Sequence, residues 1–151
     1  MEELVKLNPI EVDMLLKAPV YISLLAANSN SNHGLDETER KAAIKLTHIK
    51  KISSHPTLQG FYKDAEKVFS ANMEQLNNEL PHGILERERA IKRELAKLEP
   101  VFAKLEKEYS VSLQQSFQSY ADYVSRAHRT AVYAIFPIPI GGFNVSDTNL
   151  K

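Results

Sequence analysis

From Ile84 to Ala134 the apolar residues keep to the spacing of one helix face. Ile84, Ile91, Leu95, Leu98, Phe102, Leu105 and Tyr109 follow one another by seven, four, three, four, three and four. Leu113, Phe117, Tyr120, Val124, Ala127, Ala131 and Ala134 continue in steps of four and three. A strand alternates with period two, so this series is incompatible with a sheet and calls for α-helix. Two successive heptad-spaced helices pack antiparallel, which predicts a long helical hairpin over residues 84–134. Pro100 lacks the N–H that a helix interior uses, and it predicts a kink or short break near Glu99. The charge-dense run Glu86 to Lys97, with its mixed signs, reads as the solvated face of the first arm.

The N-terminal part carries helix starts and stops. Asn8-Pro9-Ile10-Glu11 places an N-cap, a proline at the first helical position and an acid at the third. Val12, Leu15, Leu16, Val20 and Leu24 extend that helix, and Pro19 within it predicts a kink or a split. Residues 28–34, NSNSNHG, read as a turn, because Asn and Ser offer the backbone competing hydrogen bonds and Gly34 tolerates positive φ. Asp36 and Glu39 form a second capping box, followed by Ala42, Leu46, Ile49 and Ile52 on one face. That helix stops before Pro56. A third helix shows Leu58, Phe61, Ala65, Val68, Asn72 or Met73, and Leu76, and ends near Leu80-Pro81-His82-Gly83. The reading is one all-α domain over 1–151: a helical pair at 9–53, the hairpin at 84–134, and an extended apolar tail with a helix start at 135–151. The tail's Ile135, Phe136, Ile138, Ile140 and Phe143 are too much apolar surface for water and are expected to pack on the domain.

Composition narrows the function classes. Nineteen basic residues balance nineteen acidic ones among 151, which removes the electrostatic case for nucleic-acid or polybasic membrane binding. With no cysteine, thiol catalysis, disulfides and thiolate metal sites are excluded. Five scattered glycines form no phosphate loop or dinucleotide fingerprint. The acidic N-terminus is unlike a signal peptide, and the stretch Ala131 to Phe143 is too short to span a bilayer. A cytoplasmic protein without a cofactor is expected. Glu79-Leu80-Pro81-His82 has the Glu-x-x-His spacing of di-iron bundles, but Pro81 breaks the helix between the two ligands. His48 and His128 read as boundary residues, and the pairs Glu37/Glu39, Glu86/Glu88 and Glu106/Glu108 as solubilising acids that do not share a helix face.

Leu15-Leu16-Lys17-Ala18-Pro19-Val20, Leu24-Leu25-Ala26-Ala27 and Leu35-Asp36-Glu37-Thr38-Glu39 together resemble the tellurite-resistance protein B-like (TerB-like) family. On the family's motif Leu35 is the aliphatic residue, Asp36 the cap and Glu39 the acid. Asn32 stands where the family carries aspartate, and His33 where it carries glycine. Val145-Ser146-Asp147-Thr148-Asn149 matches a second, looser copy. The resemblance implies an all-helical pseudo-repeat and a stress-related, non-enzymatic binding or scaffold module with a protein partner. It also implies a cation-binding cluster, whose positions here are Asn32, His33, Asp36 and Glu39. The alternatives are a divalent-cation sensor using the 28–39 turn and a structural homo-oligomer pairing through its heptad helices.

The residues themselves favour folding without metal. A hard-cation site needs several carboxylates, the turn 28–34 supplies none, and Asp36 and Glu39 serve as helix caps. Melting curves with chelator, calcium, magnesium or zinc in excess are therefore expected to overlay. A calcium-dependent rise in melting temperature that Asp36→Ala abolishes contradicts this.

Overall fold

The computed structural model describes residues 4–30, 41 and 56–127. Among them every regular element is an α-helix: α1 (Pro9–Asn30), α2 (Pro56–Glu79), α3 (Ile84–Ala96), α4 (Leu98–Ala103) and α5 (Lys107–Ala127). The all-α class is as the periodicity requires. The predicted helix at 36–53 (Lys41 apart), the hairpin's end at 128–134 and the tail at 135–151 lie outside the described residues.

α1 begins as its sequence dictates. The Asn8 side chain accepts from the Glu11 N–H at 2.8 Å, and the Glu11 carboxylate accepts from the Asn8 N–H at 3.0 Å. That reciprocal pair satisfies two donors that a helix start otherwise leaves open. Leu7 is buried and Val12 packs against the core, the two positions of a hydrophobic staple around this cap.

Pro19 does not split the helix. α1 runs unbroken from Pro9 to Asn30, and the Ser23 hydroxyl donates to the Pro19 carbonyl at 3.0 Å in the turn that follows. The physical reason is burial: all eleven residues from Ala18 to Asn28 are buried, so surrounding helices hold the segment where its own ladder lacks a bond. α2, α3 and α5 all pack along α1, and α4 touches it. The expected turn likewise starts later than its composition suggests, because Asn28, Ser29 and Asn30 are still helical.

α2 buries Leu58, Phe61, Tyr62, Ala65, Phe69, Asn72, Met73 and Leu76, so both Asn72 and Met73 belong to its inner face. Phe61 meets Tyr62 edge-on at 5.2 Å between ring centres and Phe117 of α5 at 5.6 Å. Both distances lie in the favourable range for tilted aromatic pairs.

The heptad segment folds as α3, α4 and α5. The short break expected near Glu99 falls at Lys97, which closes α3 and opens α4. Pro100 then sits in the first turn of α4, where the missing N–H has no intrahelical acceptor to lose. A second break, at Lys104–Glu106, is tightened by Lys104 N–H to Val101 O (3.1 Å) and Leu105 N–H to Phe102 O (3.1 Å). Glu106 caps α5, its carboxylate accepting from the Tyr109 N–H at 3.1 Å.

Three contacts give the directions. Asn28 near the end of α1 donates to the carbonyl of Ile84 at the start of α3 (3.0 Å), while Lys104 after α4 pairs with Glu11 at the start of α1. Ser23 and Tyr120 then meet at 3.2 Å. The α3–α4 arm thus runs against α1 and α5 runs with it, so the two arms are antiparallel. Both close their apolar seams on α1.

Leu24→Ala is expected to cost about 2–5 kcal/mol in denaturant unfolding, since Leu24 is 1% exposed in the centre of α1. Ile10→Ala, at a position 72% exposed, should stay within about 0.5 kcal/mol.

The cap adds a pH dependence. Lys104 and the Asn8 N–H hold the Glu11 carboxyl below its usual 4.5. Its contribution to stability is therefore full above that pH and lost as pH falls through the lowered value. Glu11→Gln should flatten the stability profile in that acid window, as followed by circular dichroism. An unaltered profile contradicts the role of the cap.

Candidate interaction surface at the junction of α2 and α3

The junction begins with a residue that its neighbourhood in the sequence conceals. Arg87 lies inside the charge-dense run, yet it is 2% exposed, so that run is not solvated throughout. It shares the inner face of α3 with Ala90, Ile91 and Leu95. From there its guanidinium reaches the end of α2. One terminal nitrogen donates to the Pro81 carbonyl at 3.0 Å and more weakly to Asn77 O at 3.4 Å. The other donates to Asn77 O at 3.4 Å and to the Asn77 side-chain oxygen.

Asn77 O is one of the last carbonyls of α2, which have no partner within the helix, and a cation at a helix C-terminus also meets the negative end of its dipole. Arg87 therefore closes α2 from the first turn of α3. The acceptors it meets are neutral, and burial pulls its pKa down. The guanidinium still stays charged, as arginine does in proteins. Its Nε has no acceptor among the described residues.

A second anchor comes from the centre of the molecule. Asn28 is 3% exposed, and its amide donates to the Ile84 carbonyl. Gly83, extended at φ −70°, accepts the Arg87 N–H at 2.8 Å and starts α3 without a side-chain cap.

Between these anchors the first two residues of α3 turn outward. Ile84 is 42% and Leu85 60% exposed. Ile84, expected as the first core residue of the heptad series, is thus a surface residue. It opens α3 level with Asn28, two residues before α1 ends, so the helix it would pack against runs out there. Leu85 and Ile84 form an apolar step on a backbone held at both sides, flanked by exposed Pro81, His82 and Glu86.

The other positions singled out from the sequence divide clearly. Asn32, His33, Asp36 and Glu39, as well as His48 and His128, lie outside the described residues. Glu79 ends α2 and His82 is exposed in the connection beyond it, so the Glu-x-x-His pair spans a helix end and does not share a face. Glu106 is the cap of α5 in addition to being a surface acid.

Deeper in the bundle, polar groups join helices. The Tyr62 and Ser116 hydroxyls meet at 2.6 Å between α2 and α5, and those of Ser23 and Tyr120 meet between α1 and α5. Burial raises the pKa of Tyr62, with the Ser116 hydrogen bond opposing it. Tyr21 is pushed up to about 12, by burial first and then by Glu94, Glu79 and Asp13. Both phenols are therefore neutral at ordinary pH and act as hydrogen-bonding or apolar groups.

No helix among the described residues is long and apolar enough to cross a membrane. Comparison with family models, characterised proteins and solved structures finds no match to this chain.

Arg87→Ala should lower stability by about 1–3 kcal/mol in urea unfolding, because the α2 carbonyls lose their partner inside the fold. Arg87→Lys should fall between, since one ammonium cannot reproduce a fork that spans Asn77 and Pro81. An unfolding midpoint unchanged in Arg87→Ala contradicts the capping role.

Proposed function

We propose that the protein is a non-enzymatic helical binding module that docks a protein partner through the junction of α2 and α3. The observation that carries this reading is the outward-facing Ile84–Leu85 step, held between Asn28 and Arg87. Large apolar side chains on a rigid backbone lose little conformational entropy when a partner covers them, which favours them as contact residues. The interior polar pairs support the same reading. Ser23, Tyr62, Ser116 and Tyr120 tie helices to one another, as befits a rigid platform. The resemblance to TerB-like proteins points the same way, toward a scaffold that works in the cytoplasm in a stress response.

The test exploits the position of Leu85 in the first turn of α3, where an acid suits the helix dipole and leaves the fold intact. Leu85→Glu is expected to melt within about 2 °C of the wild type, since a surface change stays within about 0.5 kcal/mol. In cross-linking from its own cells, the wild type should retain a reproducible partner that Leu85→Glu loses. Equal recovery of that partner by the folded variant overturns the assignment of this surface.

A further inference from the structure

We draw no further inference here: the strongest candidate, the exposed Val5 and Ile10 side chains beside the N-terminus of α1, is an apolar patch with nothing in the structure to show what covers it.

Discussion

The fold depends on one helical segment withdrawn from water on every side. From Ala18 to Asn28, α1 is buried on all sides, and a helix in that position must be apolar around its whole circumference. Val20, Ile22, Leu24 and Leu25 supply bulk, while Ala18, Ala26 and Ala27 let neighbouring helices come close. Each large side chain removed from water contributes roughly 1.5–3 kcal/mol, so this one segment outweighs any single polar contact in the molecule. The other helices are each amphipathic and need one apolar partner, and α1 provides it for α2, α3 and α5 at once. A proline is tolerated in such a helix because packing, rather than the local ladder, sets its path.

Apolar burial has little directional preference, and polar contacts supply the register. Glu11 with Lys104, Ser23 with Tyr120 and Asn28 with Ile84 mark the bottom, middle and top of α1 against its neighbours. Tyr62 with Ser116 does the same between α2 and α5. Apart from the exposed Glu11–Lys104 pair, these groups lie inside the bundle and are costly when unpaired, so an arrangement shifted by one turn would lose them together. Arg87 extends that logic to the chain's connection. It closes α2 with a residue from α3, and the turn between them is held by the guanidinium rather than by a local cap. Ile84 and Leu85 stand exposed at the start of α3, between this anchor and Asn28, so the candidate surface sits where the core is closed.

Much of this was legible in the sequence. The cap at Asn8 and Glu11 was readable because it is local, four residues whose types and spacing match the geometry. The inner face of α2 and the spacing from Ile91 to Tyr120 were readable because packing imposes a period on the pattern. Three features were not. A segment buried all round has no single face to detect, so the helical spacing of Val20 and Leu24 marks only part of what Tyr21 to Ala27 bury. The local preferences of Pro19 and Asn28 favour a break and a turn, and tertiary burial overrides both. Arg87 was hidden among charges, although the pattern held a trace of it: the step of seven from Ile84 to Ile91 skips the register position at 87, where a step of three or four would place a core residue. A long polar side chain at a skipped core position is a signal for a buried cap.

If the other helices depend on α1, it is the last element to come apart. Native-state hydrogen exchange tests it most directly, because amides that open only on global unfolding share its full free energy. The amides of Val20 to Asn28 are predicted to exchange most slowly of all, with an opening energy equal to that from denaturant unfolding and with the same dependence on denaturant. If they instead open at a fraction of that energy while α2 or α5 stays protected, α1 is not the helix on which the others depend.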